Sequence, residues 1–310
     1  MHEEFARTLY YFQIHLLYAS MVGFVALALT SIHGGSATTK YWIWVATAFN
    51  FFLPVGALLD KLWATHLSWA SPLGAVGQVA NTISRGWAAT ALGVVWLFGT
   101  TLMFARLCVR IQAERRGAQI GASHEALDPA ENFLVDGIPV RFSSIRQAPV
   151  VDGVLHPHIS LPKGIGRLLS APELDAVLVH ELIHARRRDN LIRLVFEVGL
   201  CGLWFHPLVW IAGSRLTLYR ELSCDESVIQ NAYGGDLVSA LAKFANADGA
   251  SLLHANASSL LSDRLARLTA PHPQPTRLAA SALLTMVFSA ALLAGVFGIV
   301  AHTACCFVAR

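Results

Sequence analysis

Formal charge is what this chain has least of. Only 14% of its 310 residues are Asp, Glu, Lys or Arg, while 55% are hydrophobic, which excludes the ordinary balance of a soluble domain. The net charge of +3 is too small to identify a partner by itself. No basic stretch is interleaved with aromatics in the manner of a nucleic-acid module, so direct nucleic-acid binding is not expected. Cysteine is scarce as well. The five thiols, Cys108, Cys201, Cys224, Cys305 and Cys306, lack the spacings of a cysteine-held metal site, and the adjacent Cys305 and Cys306 read as incidental. A cationic leader is missing too: Glu3 and Glu4 outweigh Arg7, so the first apolar run reads as a retained helix rather than a cleaved signal.

Long apolar runs stand where the charge is missing. Stretches 9–30, 41–59, 87–105 and 278–300 are each long enough to cross a hydrocarbon core. Of the 23 Lys and Arg residues, 18 fall between Arg106 and Arg277, which places the region between the third and fourth runs in the cytoplasm and both termini outside. The expected fold is mainly α, with four transmembrane helices and a cytoplasmic α+β domain inserted before the last. Residues 1–110 form the three-helix membrane region, 111–275 the cytoplasmic domain, and 276–310 the fourth helix with a short external tail. The Trp-, Gly- and Ser-rich loop at 61–86 reads as an interfacial connector and a candidate sensory surface.

Inside the cytoplasmic domain, short apolar runs between residues 132 and 161 predict a small antiparallel sheet, with a hairpin at Asp136-Gly137. A free edge of such a sheet can hold an extended peptide by main-chain hydrogen bonds. Ser170-Ala171-Pro172-Glu173 is a capping box that announces a helix, and Arg186, Arg187 and Arg188 read as its solvated end. Segment 191–213 is long and apolar, yet contains Arg193, Glu197, His206 and Pro207. A full crossing there would put the residues before and after it on opposite sides of the bilayer. A buried or membrane-dipping helical pair, broken near Pro207, is expected instead.

The announced helix carries His180-Glu181-Leu182-Ile183-His184. Residues four apart stack one turn above each other, so both imidazoles reach one ion, with Glu181 beside it as a proton acceptor. Catalytic zinc takes three protein ligands, so a third is needed. Downstream, Arg220-Glu221-Leu222-Ser223-Cys224-Asp225-Glu226 is the densest acidic cluster in the chain. Glu221 is the expected ligand and Glu226 its rival. Asp225 and Asp189 are expected to orient the ligating imidazoles from behind. His206, Tyr219 and Arg220 are candidate donors to a developing oxyanion.

Together, His180-Glu181-x-x-His184 with Asp189, then 204–210 (Trp-Phe-His-Pro-Leu-Val-Trp), then Glu221-x-x-Cys224-Asp225-Glu226 resemble the BlaR/MecR-like antirepressor metallopeptidases of the β-lactam sensor-transducers. Residues 157–162 resemble the short strand before that family's metal helix. The likeness covers most of 10–300 and implies a gluzincin-like Zn2+ domain inserted before the last of four membrane helices. A wider similarity, to membrane proteases of the CAAX-prenyl and heat-shock type, implies Glu221 as third ligand. The family carries an external penicillin-binding domain after its fourth helix, whereas this sequence ends at Arg310. Ser160-Leu161-Pro162-Lys163 fits Ser-x-x-Lys, but Ser-Asp-Asn and Lys-Thr-Gly partners are absent, so direct covalent β-lactam sensing is not expected.

The resemblance implies a zinc endopeptidase in the bacterial cytoplasmic membrane. Its expected partners are the lipid bilayer and a protein substrate, either itself or a winged-helix (BlaI/MecI-like) repressor, with oligomer formation open. A quality-control membrane protease is the alternative with the same chemistry. A catalytically silent receptor is the third reading, disfavoured because a purely structural ion has no need of Glu181.

Overall fold

The computed structural model describes residues 2–32, 35–53, 87–125, 133–144, 146, 148–247 and 264. The loop at 61–86, the expected helix at 278–300 and Cys305 and Cys306 lie outside the described residues.

Helices α1 (His2–Ile32) and α2 (Ala37–Phe52) pack against each other. Small residues on α1 allow the approach: Ala19 and Ala26 are fully buried, and a side-chain carbon added at Gly23 would stand 3.5 Å from the Phe51 ring. Ser36 caps α2 by accepting from the Thr39 amide. The helix stops at Phe52, short of the expected 41–59, because Leu53 precedes Pro54 and takes the extended backbone that proline imposes on its neighbour. Its 16 residues rise about 24 Å, less than a hydrocarbon core of about 30 Å. Helix α3 (Trp87–Glu125) is different. Over Thr90–Glu114 it is long and apolar enough to cross a membrane, alone in this among the described helices. Side chains 90–98 are exposed all round, Phe98 at 71%, which is the surface a lipid environment calls for.

The sheet contains β1 (Phe133–Val135), β2 (Ile138–Ser143), β3 (Val150–Asp152) and β4 (His158–Pro162), ordered β1-β2-β4-β3. Asp136 and Gly137 both have positive φ, as a two-residue hairpin needs, and they join β1 to β2 as expected. One pairing differs from the expected antiparallel pattern. β3 returns one strand-width away from β2, and β4 fills the gap, so β4 runs parallel to β2 and antiparallel to β3. This leaves β3 on the outer edge.

After the single turn α4 (Ile165–Leu168) comes α5 (Ala171–Arg187), which begins in the expected capping box with Pro172 in its first turn. Arg188 ends it in the left-handed conformation, φ 55°, and α6 (Asp189–Gly202) starts at the next residue. The expected break in 191–213 falls at 203–206. Pro207 is the first residue of α7 (Pro207–Gln230), where its missing N–H leaves no bond unmade. The turn is fastened by Trp210 Nε1, which donates to the Trp204 carbonyl at 2.8 Å, and by Trp96 of α3, which donates to the Gly202 carbonyl at 2.9 Å. Gly99 has to be glycine here, because a Cβ would lie 2.3 Å from the Trp204 indole. Helix α8 (Gly234–Ala247) closes the described fold.

Two hydrophobic clusters result. The first joins α1 and α2 to α6 and α7, through Trp44, Phe51, Phe196, Val209 and Leu216. The second packs the sheet on α5 and α8, through Val140, Ile159, Leu161, Leu178 and Leu237. Helices expected in the membrane region therefore share a core with helices expected in the cytoplasmic domain, and packing is continuous across the proposed boundary at 110.

Glu173 links the start of α5 to α8: it accepts from the Ser170 amide, from Ser239 Oγ and from Lys243 Nζ. Lys243 first, then Ser239 and the Ser170 amide, hold its carboxyl down at about 2. A carboxyl depressed on folding contributes stability above its ordinary value of 4.5 and loses it as pH falls through about 2. Thermal melts of wild type and Glu173→Gln across pH are expected to differ most above pH 4.5 and to converge toward pH 2.

Candidate metal centre

Helix geometry alone brings His180 and His184 together. One turn apart on α5, their Nε2 atoms lie 3.1 Å from each other and both rings are buried. α7 returns antiparallel in sequence from the 203–206 turn and delivers Glu221, whose Oε2 stands 3.6 Å from His180 Nε2 and 3.7 Å from His184 Nε2. The other oxygen, Oε1, accepts from Arg220 Nε at 3.0 Å and Nη2 at 2.8 Å, which keeps Oε2 turned to the imidazoles.

This donor set fits zinc. A tetrahedral zinc with bonds of about 2.0–2.1 Å keeps its ligand atoms about 3.3–3.4 Å apart. The three observed separations, 3.1, 3.6 and 3.7 Å, bracket that spacing, and two imidazoles with one carboxylate are the right chemistry. A second group of potential donors, His184, Asp189 and Cys224, does not compete, because the Arg187 guanidinium already occupies it: Nη2 lies 2.6 Å from Asp189 Oδ2 and 3.3 Å from Cys224 Sγ.

Each histidine is backed by a carboxylate. Asp189 Oδ2 accepts from His184 Nδ1 at 2.6 Å, a contact made possible by the one-residue joint at Arg188, which folds α6 back under α5. Asp225 Oδ1 is 3.1 Å from His180 Nδ1 but off the axis of the ring N–H, so this contact is electrostatic more than a hydrogen bond. Both oxygens of Asp225 are gripped by Arg264, at 2.8 Å each. Burial alone would raise Asp189, but His184 and Arg187 outweigh it and hold the carboxyl at about 2. Asp225 is likewise lowered against burial, by Arg264 and His180.

The structure separates the remaining sequence candidates. Glu226 turns to the other face of α7, where its Oε2 accepts from the Thr38 amide and hydroxyl, both at 3.0 Å, so it caps α2 and does not meet the imidazoles. His206 precedes Glu221 by about four turns of α7, roughly 22 Å. It touches Ser20 Oγ at 3.1 Å and the Phe51 ring, far from any scissile bond at the triad. Tyr219 is buried toward α2, beneath Lys40, and does not line the cleft. Arg220 does line it. The arginine run also divides: Arg186 and Arg188 are exposed, but Arg187 is largely buried, with its guanidinium 4.1 Å from the Tyr41 ring centroid. Sequence reading missed Arg187, Arg264 and Tyr41. Arg187 was legible in principle, lying one turn from His184 on the same face; Tyr41 is simply the first residue of an apolar run.

The triad opens into a cleft of about 320 Å³. Glu181 lines it beside Arg193, Arg220 and Arg264, opposite an apolar wall from Val177, Leu237 and Phe244. Outer strand β3 forms another side, held to the start of α6 by Asn190 Nδ2, which donates to the Val151 carbonyl at 2.8 Å. A two-histidine, one-glutamate centre in a cleft flanked by a sheet edge is a site of metallopeptidase type.

The comparison with known sequences agrees. The chain belongs to the BlaR1 peptidase M56 family, whose sequence model matches residues 12–268. It is 28% identical over 200 residues to the regulatory protein BlaR1 of Bacillus licheniformis, covering 59% of this chain and 33% of that protein. It is 22% identical over 144 residues to the methicillin resistance mecR1 protein of Staphylococcus aureus, covering 44% and 25%, and to that of Staphylococcus epidermidis to the same extent. The chain therefore spans about a third or less of the length of these relatives.

In the metal-free chain the imidazoles titrate high. Burial opposes the charge on His180, yet Asp225 and Glu221 overcome it and hold the ring at about 9; His184 is raised in the same way by Glu221 and Asp189. Glu221 is pushed well down despite burial, by His184 and Arg220. A metal must displace these protons. Its apparent affinity should rise with pH up to about 9, by about tenfold per unit for each proton displaced. Calorimetric titration with zinc in two buffers of different ionisation enthalpy should register the proton release; an affinity indifferent to pH below 9 would contradict these assignments.

Proposed function

We propose that this chain is a membrane-embedded zinc endopeptidase that acts in signal transduction, where cleavage relieves a transcriptional repressor. The observation that carries the reading is the convergence of His180 Nε2, His184 Nε2 and Glu221 Oε2 within 3.7 Å of one another, beside Glu181 in an open cleft. Zinc bound to these atoms would supply Lewis acidity, polarising the scissile carbonyl and acidifying water. Everything else is done by the chain's own residues. Glu181 takes the proton of the attacking water and passes it to the leaving amine. Asp189 and Asp225 orient the two imidazoles, while Arg220 fixes Glu221. Arg220 and Arg264 bring positive charge to the cleft for the developing oxyanion, and β3 lines the side of the cleft along which an extended peptide would lie.

Four membrane helices, a cytoplasmic active site and external termini complete the reading. The lipid-compatible surface of α3 supports it, as does the basic bias of the region after Arg106. Contacts of Trp204 and Gly199 with Gly99 and Phe52 support a 191–213 hairpin that dips to the depth of the membrane helices. The names of the relatives, a regulatory and a resistance protein, favour a signalling role over quality control.

Glu181→Gln should retain zinc while losing cleavage by about 100-fold or more, measured on purified protein with a peptide or repressor substrate. Wild-type turnover by that variant would remove Glu181 from the mechanism. Comparing proteomes of cells carrying wild type and Glu181→Gln decides the circuit: accumulation of one winged-helix repressor, or of the uncut chain, is the expected result, and accumulation of many misfolded membrane proteins would make it a quality-control protease.

A further inference from the structure

Asp189 has four hydrogen-bonding contacts, and they are divided unevenly between helices. Oδ2 accepts from His184 Nδ1 and Arg187 Nη2, both at 2.6 Å, and Oδ1 accepts from Arg187 Nε at 2.8 Å. All of these come from within five residues of Asp189 itself. The fourth does not: Tyr41 Oη, on α2, donates to Oδ1 at 2.8 Å, across 148 positions of sequence. Among the described residues Tyr41 is the one hydrogen-bond partner of the Asp189 carboxylate from outside segment 184–189. Tyr41 is fully buried and Asp189 is 3% exposed.

We propose that Tyr41 is a positioning residue for the metal centre: its hydroxyl fixes the rotation of the Asp189 carboxylate, and Asp189 in turn fixes the ring and tautomer of His184. Nothing in the local segment does this alone. Arg187 binds the carboxylate in a fork; its backbone belongs to α5 with His184, while its guanidinium is also held to α7 by Ser223 Oγ at 2.6 Å, the Arg220 carbonyl at 3.2 Å and Cys224 Sγ at 3.3 Å. Tyr41 supplies an anchor on an independent helix, and its ring supports Arg187 from the other side at 4.1 Å. With the hydroxyl gone, Oδ1 keeps only Arg187 Nε, and the carboxylate that aims His184 Nε2 at the donor triangle is left with one of its two supports, the Arg187 fork. A partner one bond behind a ligating imidazole, as Asp189 is, is worth about 10- to 100-fold in metal affinity, and Tyr41, one bond further back, acts through it.

The inference rests on the reading of His180, His184 and Glu221 as a zinc site, and its test keeps the two apart. The full chain, in lipid nanodiscs and stripped of metal, is titrated with zinc against a chromophoric chelator, and its melting temperature is read in the same samples. Tyr41→Phe keeps the ring, its packing and its support of Arg187, and is expected to weaken zinc binding about 10-fold or more. Asp189→Ala should weaken it at least as much, and adding Tyr41→Phe to Asp189→Ala should cost nothing further, because the phenol acts only through that carboxylate. Thr38→Val is the control. It loosens α2 by cutting the hydroxyl bond to Glu226 without touching Asp189, and zinc affinity should not change. Unchanged affinity in Tyr41→Phe overturns the proposal, whether or not the protein melts lower. So does full additivity with Asp189→Ala, or an equal loss in Thr38→Val, since either outcome makes Tyr41 ordinary packing. A wild-type chain that takes up no zinc sinks the zinc reading and this inference together.

Discussion

The constraint that governs this structure is the cost of placing six ionised side chains, three carboxylates and three guanidiniums, in one largely buried cluster beside the cleft. An unpaired buried charge costs on the order of several kcal/mol, and removing one partner of a buried pair leaves that penalty exposed. The chain meets it by alternation. Arg187 faces Asp189, Arg264 faces Asp225, and Arg220 faces Glu221, so each carboxylate has its own guanidinium. Only with those three pairs satisfied can each imidazole spend one nitrogen on a carboxylate behind it and leave the other toward the triangle in front.

Placement of the centre follows from how the two cores meet. The His180 and His184 helix belongs to the sheet-bearing cluster, whereas much of α7, which brings Glu221, packs with α1 and α2. The donor triangle thus lies on the seam between the two. Two bonds from the start of α2 reach that seam directly: Tyr41 to Asp189, and Thr38 to Glu226. Helix α2 accordingly touches the residues behind the site, although none of its side chains lines the cleft.

Much of the fold could be read locally, because its signals are local. The capping box at Ser170, the Asp136-Gly137 hairpin and the break before Pro207 each depend on a few neighbouring residues, and each stands where those residues predict. What the sequence does not express is pairing between distant segments. The parallel β2–β4 pair depends on where β3 leaves room. The choice between Glu221 and Glu226 depends on which face of α7 meets α5, and five positions of helix, about 500° of rotation, turn those two carboxylates to different neighbours. Arg264 read as a topological charge and Tyr41 as an ordinary apolar-run residue for the same reason: their meaning lies in partners 39 and 148 positions away. The end of α2 at Phe52 shows the reverse case, where Pro54 carried a local signal that hydropathy concealed.

The joint at Arg188 has a mechanical side. A left-handed conformation in a residue other than glycine occupies a small isolated basin of backbone space, with no adjoining region into which it can slide. With just that residue between them, α5 and α6 form a stiff elbow, and the arm made by α6 is tied at its far end to α3 through Gly202 and Trp96. α6 therefore links the Trp96 contact on α3 at one end to the Asp189–His184 contact at the other.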